Sequence, residues 1–159
     1  KDLNNGMLNG SEKTVSDQAL KRNEIKMFLA DSVLIVGIGA TTGKTAYMLS
    51  KGAFNQQITG FHSKKEHNKY LFYFLKSMAR VMLNVASYTT LPILNNEFFK
   101  SFWIVIPSVN EQQKIVAHIE AQSAKIDQAI SLQQTQIEKL KEYKASLIDS
   151  AVTGKIKVC

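Results

Sequence analysis

Apolar residues in the first two thirds of the chain form short runs separated by turns that contain glycine. The run "SVLIVGIG" at 32–39 is rich in β-branched residues and predicts a buried strand. "KTAYML" at 44–49 alternates polar and apolar residues and predicts another strand. Residues 65–86 instead repeat apolar side chains every three or four positions, which predicts a helix packed on a core. Residues 96–107 predict a polar turn followed by a strand, with Trp103 in the core.

The last third of the chain has a different pattern, since neither proline nor glycine occurs between Glu111 and Val152. Apolar residues recur there as a heptad repeat, which predicts one long helix over 109–153 with Gly154 just past its end. About 40 helical residues form a rod of roughly 60 Å, longer than the preceding domain can cover. The seam therefore requires a long helix from another chain, unless the segment folds back as a hairpin. The predicted seam residues are Val116, Ile119, Ile126, Ile130, Ile137, Leu140, Leu147 and Ala151.

These patterns predict a mixed α+β domain over 1–108, a long pairing helix over 109–153 and a C-terminal tail over 154–159. The chain starts with turn-like residues rather than an initiating Met. We therefore expect a fragment that begins inside a domain.

Charge is concentrated in the first domain. The chain has a formal net charge of +7, and residues 1–108 hold thirteen Lys or Arg against seven acidic residues. Such an excess favours an anionic partner, either nucleic acid or an anionic membrane surface, although a basic protein without such a partner has the same composition. The single cysteine, Cys159, provides no disulfide framework and fits a reducing cytoplasm. No apolar run approaches the roughly 18 residues that span a membrane.

The stretch "VGIGATTGKT" at 36–45 has to be distinguished from a phosphate-binding loop. That loop requires glycine five positions before Gly43, where this chain has Ile38. It also requires a following helix, whereas strand-like alternation follows here. The stretch therefore disfavours a nucleotide hydrolase and predicts a tight turn whose side chains meet a phosphate backbone or a base edge. These side chains are Thr41, Thr42 and Lys44.

Two basic clusters are further candidates for DNA contact, or else solvated turns. One is "HSKKEHNK" at 62–69 and the other is "ALKRNEIK" at 19–26. The first contains Lys64, Lys65 and Lys69 near Asn68, of which Lys64, Lys65 and Asn68 are the candidates for DNA contact. The second contains Lys21, Arg22 and Lys26. The histidines lack metal-ligand spacing, and neither a catalytic triad nor an Asn-Pro-Pro-Tyr motif is recognisable. We therefore expect no catalytic residue, no metal and no cofactor.

The motifs together resemble the DNA-specificity subunit of type I restriction–modification systems. The resemblance rests on Ile106-Pro107, Glu111-Gln112, Ile115, Ile119, Leu140, Leu147-Ile148 and Val152-Thr153-Gly154-Lys155-Ile156, together with the 39–44 loop and Asn55-Gln56. It covers essentially the whole chain.

The resemblance implies a non-catalytic subunit with two target-recognition domains, each reading half of a bipartite DNA site and each followed by a long helix. The two helices pair as an antiparallel coiled coil and dock the modification subunits, which carry the S-adenosylmethionine chemistry and connect to the restriction subunit. This chain resembles half of such a subunit: most of one domain and one helix. Its expected partners are double-stranded DNA, the modification subunits, and a second copy or the other half. The alternatives are a coiled-coil adaptor without DNA contact and a phosphate-loop hydrolase.

Overall fold

The computed structural model describes residues 3, 6–22, 25, 27–88 and 92–157, which fall into two compact units, Lys1–Val116 and Ala117–Cys159. The predicted mixed fold with a long C-terminal helix is confirmed. The elements, in chain order, are β1 (Met7–Leu8), α1 (Asp17–Lys21), β2 (Val33–Val36), β3 (Thr45–Met48), β4 (Ile58–Phe61), α2 (Asn68–Val85), β5 (Ser87–Tyr88), β6 (Pro92–Ile93), α3 (Asn96–Ser101) and α4 (Val109–Val152).

A four-stranded sheet in the order β1-β3-β2-β4 forms the centre of the first unit. The central strand β2 pairs antiparallel with both neighbours, so that Leu34 lies opposite Ala46 on β3 and Gly60 on β4. All four residues of β2 are buried, because both faces of the sheet are covered. This explains why β2 reads as a continuous apolar run rather than as an alternating one.

Helix α2 covers one face of the sheet. Its apolar side recurs at helical spacing, and Phe72, Leu75 and Met82 pack with Val33 and Ile35 of β2. The opposite face of the sheet is covered by a second cluster around Leu34, Ala46 and Met48, to which Phe28, Phe54 and Ile58 are added. Alternate residues of β2 thus belong to different cores.

The prediction of a strand that ends at Pro107 is wrong. Residues 96–101 form helix α3, because the Asn95 side chain accepts a hydrogen bond from the Phe98 amide at 2.9 Å and caps the helix. Phe98 and Phe102 stack at one helical turn's spacing and pack on the α2 core. The chain from 102 to 107 forms no regular element. Trp103, expected in the core, is 93 % exposed.

Tyr70 of α2 attaches this irregular segment to the domain. Its hydroxyl donates a hydrogen bond to the Val105 carbonyl oxygen at 2.8 Å. Burial raises the pKa of the Tyr70 hydroxyl, and the negative charge of Glu111 raises it further. The hydroxyl therefore keeps the proton that it donates.

The long helix α4 is continuous, so the hairpin alternative is not observed. Val116 is buried in the first unit, whereas seam residues from Ile126 to Leu147 are exposed in the single chain. The helix ends at Val152, and Gly154 follows with a φ of +73°. The Ile156 amide donates a hydrogen bond back to the Ser150 carbonyl oxygen at 3.1 Å. None of the helices among the described residues is both long enough and apolar enough to cross a membrane.

Replacing Leu75 with Ala tests the packing of α2 on the sheet. The substitution leaves a cavity in the core, so we expect the free energy of unfolding to fall by about 2–5 kcal/mol. Val81→Ala, in the same helix but with an exposed side chain, is the control and is expected to change it by less than about 1 kcal/mol. Chemical denaturation followed by circular dichroism measures both. Equal losses in the two variants contradict the assigned core.

Candidate nucleic-acid interface

The glycine-containing stretch is a tight turn that joins the antiparallel strands β2 and β3. The Gly43 amide donates to the Val36 carbonyl at 2.9 Å, and the Thr42 amide donates to the Gly39 carbonyl at 3.1 Å. Gly39 and Gly43 have φ angles of +118° and +87°, which strain any residue with a Cβ atom. The strand β3 follows the turn, where a phosphate-binding loop requires a helix.

The structure gives Thr42 a structural role, and its contact with DNA stays a prediction. Its side chain is buried, and its hydroxyl lies 2.7 Å from the Gly39 carbonyl oxygen and 3.3 Å from that of Pro92. The hydroxyl therefore fastens the turn to β6. Thr41 is exposed and Lys44 is half-buried, so these two side chains remain candidates for DNA contact.

The basic loop, residues 63–67, joins β4 to α2 and exposes Lys64 and Lys65. Its backbone is held by side chains at both ends. The Ser63 hydroxyl accepts hydrogen bonds from the Lys65 and Glu66 amides at 3.2 and 3.0 Å. The two lysines thus extend from a well-fixed loop.

Asn68 was predicted to contact DNA, but its side chain is buried and does not reach the surface of the basic loop. Its amide oxygen accepts from the Ser63 amide at 2.8 Å, and its amide nitrogen donates to the Ser63 carbonyl at 2.9 Å. The same nitrogen donates to Asp31 at 2.8 Å, and Asp31 also accepts from the Tyr47 hydroxyl. Asn68 therefore shapes the loop, and its contact with DNA stays a prediction.

Two of the basic residues on α2, Lys76 and Arg80, were not predicted from the sequence, whereas Lys69 belongs to the predicted basic cluster at 62–69. Lys69, Lys76 and Arg80 follow one another at spacings of seven and four, which places them on one side of a helix. No Asp or Glu occurs in α2. We call these three residues the α2 basic face. The spacing is visible in the sequence, but the apolar stripe of the same helix drew attention to the core.

The α2 basic face lies between the two predicted DNA-binding elements. The basic loop leads directly into the N-terminal end of α2. A Cβ atom on Gly43 would lie 3.5 Å from the Leu83 side chain and 3.8 Å from the Ala79 carbonyl, so the turn packs against the helix beside Arg80. Eleven helical positions from Lys69 to Arg80 span about 16 Å. The turn, the α2 basic face and the basic loop therefore follow one another along one helix.

The remaining predicted residues lie elsewhere. Lys21 and Arg22 are exposed at the end of α1, outside the turn, the basic loop and α2, and their DNA contact stays a separate prediction. Lys26 lies outside the described residues. Among those that the structure describes, no group of three His, Cys, Asp or Glu side chains is placed to hold a metal ion.

Comparisons with known proteins agree with this architecture. Residues 2–142 match the model of the type I restriction modification DNA specificity domain. The chain also superposes, with a TM-score of 0.71 and 16 % identity, on a protein in a solved structure described as the structural basis of complex assembly and conformational transition of the type I R-M system. The match covers 94 % of this chain and 36 % of that one. At this identity the likeness shows the fold alone.

Adjacent threonines in the turn provide a matched test of its structure. Thr42→Val removes a buried hydroxyl, so we expect the free energy of unfolding to fall by about 1–2 kcal/mol. Thr41→Val removes an exposed hydroxyl and is expected to leave stability within about 0.5 kcal/mol of the wild type. Thermal and urea unfolding measure both values. A larger loss for Thr41→Val would reverse the two assignments.

Proposed function

The chain belongs to the type I restriction–modification DNA specificity family, and from this premise we propose that it recognises double-stranded DNA and catalyses no reaction itself. The observation that carries the proposal is the α2 basic face, which lies between the glycine turn and the basic loop. These three elements contain six cations. They are Lys44, Lys64, Lys65, Lys69, Lys76 and Arg80.

Two kinds of contact follow from this arrangement. The lysines and Arg80 neutralise phosphates and release counterions, which provides affinity that depends on salt but carries little sequence information. Sequence is read by polar side chains at base edges in the major groove, for which Thr41 at the tip of the turn is the exposed candidate. The turn thus determines which DNA sequence is recognised, while the basic residues position the domain on the duplex.

The chain spans about a third of the solved relative that it matches, covering 36 % of it. We therefore propose that it supplies one recognition domain for half of a bipartite site. The exposed seam of α4 pairs antiparallel with a second copy or with the other half of a complete subunit. Burying Ile126, Ile130 and Ile137 in this way removes apolar surface that the single chain leaves in water.

Further partners follow from the family. We propose that the paired helices dock modification subunits, which supply the S-adenosylmethionine chemistry, and that the restriction subunit joins through them. No cofactor is assigned to this chain. The competing function is a coiled-coil adaptor whose α+β domain never contacts DNA, and the salt dependence of binding separates the two.

Charge reversal tests the DNA surface. Because each lost cation removes a phosphate contact and adds repulsion, Lys44→Glu/Lys64→Glu is expected to weaken binding at least about tenfold at low salt. Gel shifts between about 50 and 200 mM salt measure affinity and its salt slope. Lys139→Glu/Lys141→Glu makes the same charge change on exposed positions of α4 and is the control. Unchanged affinity after the first reversal, or wild-type binding without salt dependence, contradicts the proposed surface.

Two exposed apolar residues of α4 test the pairing seam. Ile130, on the seam, is 61 % exposed, and Leu132, off the seam, is 59 % exposed. Ile130→Asp places a charge in the helix interface, so sedimentation should show a dimer for the wild type and a monomer for this variant. Leu132→Asp should remain a dimer. A wild type that is strictly monomeric leaves the seam for a different protein, and dissociation by Leu132→Asp alone moves the interface to the other side of α4.

A further inference from the structure

The first turns of α4 contain a fully buried glutamine, Gln112, whose side chain reaches back to the basic loop. Its amide nitrogen donates to Glu66 Oε2 at 2.6 Å and to the Pro107 carbonyl oxygen at 2.9 Å. Its amide oxygen accepts from the His67 backbone amide at 2.9 Å. We call this arrangement the Gln112 latch.

Burying an amide is costly unless its polar atoms find partners, and here all of them do. Both amide protons and the oxygen are used, and the bond to Glu66 is a strong one because its acceptor is a carboxylate. Two of the three partners, Glu66 and His67, belong to the basic loop. The latch therefore fixes this loop specifically, over a sequence separation of 45 and 46 residues.

The latch closes one end of the basic loop, and Asn68 closes the other. Asn68 binds the Ser63 amide and carbonyl, so the loop is held at Ser63, at Glu66 and at His67. Only Lys64 and Lys65 lie between these fixed points, and both are exposed. Asn68 belongs to the helix that the loop enters, whereas Gln112 belongs to α4.

We propose that Gln112 is a positioning residue for DNA binding, which sets where Lys64 and Lys65 meet the phosphate backbone. The inference rests on the proposed function, because it gives the latch a role in that same DNA surface. The first turns of α4 and the basic loop move as one body, so α4 contributes to the DNA surface without touching DNA.

The variant Gln112→Glu tests the latch. It replaces the donating amide with a carboxylate facing Glu66, so the loop is pushed away from α4, and we expect DNA affinity to fall about tenfold at low salt. Gln113→Glu adds the same charge at the neighbouring exposed position and is the matched control, with an expected change below about twofold. Equal losses in both variants indicate plain charge repulsion and overturn the positioning role.

An exchange of the two side chains provides the rescue. In Gln112→Glu/Glu66→Gln, the amide at 66 donates to the carboxylate at 112, while the His67 amide keeps its acceptor. Affinity should recover in part, to above that of Gln112→Glu alone, because the contact with residue 66 is restored while a carboxylate oxygen now faces the Pro107 carbonyl. No recovery means that the Gln112–Glu66 contact does not position the lysines.

A double-mutant cycle separates positioning from general stability. If Gln112 acts through the two lysines, Lys64→Ala/Lys65→Ala should cost about tenfold in the wild type and less than about threefold in Gln112→Glu. Gln112→Glu alone and Lys64→Ala/Lys65→Ala alone should each lower the salt slope by about two, the value for two phosphate contacts. Additive losses overturn the proposal, since they show that Gln112 affects binding by another route.

Hydrogen exchange at the His67 amide distinguishes failure of this inference from failure of the proposed function. Faster exchange in Gln112→Glu but not in Gln113→Glu shows the latch opening in the absence of DNA. If the latch opens in this way while the wild type binds no DNA, the proposed function falls and the positioning role falls with it. If the wild type binds DNA and the cycle is additive, only the role of Gln112 is overturned.

Discussion

Packing of α2 on the central sheet is the constraint on which the rest of the first unit depends. Phe72, Leu75 and Met82 bury one face of the sheet, and this contact fixes both the rotation of the helix and its position along the strands. Rotation determines that Lys69, Lys76 and Arg80 share one side of the helix at the edge of the core, where Lys69 and Lys76 lie over the Tyr47 and Phe72 rings. Position determines that the glycine turn meets the helix near Leu83 while the basic loop leads into its other end. One apolar contact therefore orders all the elements of the proposed DNA surface.

Buried polar side chains supply what apolar packing cannot. Hydrophobic contacts are not directional, so they place α2 but do not shape the loops at its ends. Thr42, Asn68 and Gln112 do so through directional hydrogen bonds to backbone groups of the turn and the basic loop. Each resembles a DNA-contacting residue by type, yet each is buried. In this domain, the polar residues nearest to the proposed surface mostly build it, and the cations beside them are the proposed contacts with DNA.

Periodicity and glycine positions were enough to predict β2, β3, α2 and α4, because their patterns run over several turns or over a whole buried strand. The segment 96–107 misled, since Phe98, Phe99, Phe102 and Trp103 fit strand alternation about as well as a short capped helix, and the cap at Asn95 decides between them. Thr42 and Asn68 are buried, and their side chains bond to the Pro92 carbonyl of β6 and to Asp31. No local sequence pattern identifies these distant partners. The contact from Gln112 to Glu66 crosses 46 residues and was equally hidden. The α2 basic face, in contrast, was readable from its spacing.

Helix α4 has a short first part at 109–116 and a longer second part from 117 onward, and the two parts differ in how their apolar residues are packed, although the backbone is continuous. In its first turns, Gln112 and Val116 are buried by contacts within the first unit. From Ala117 onward the described helix exposes its apolar seam, and helices in proteins gain most of their stability from packing such a face. We therefore expect the part of α4 beyond Val116 to gain stability from a partner helix, whereas the first turns gain theirs from the first unit. The Gln112 latch lies in the part that the first unit already holds, so the arrangement of the basic loop does not require pairing of the seam.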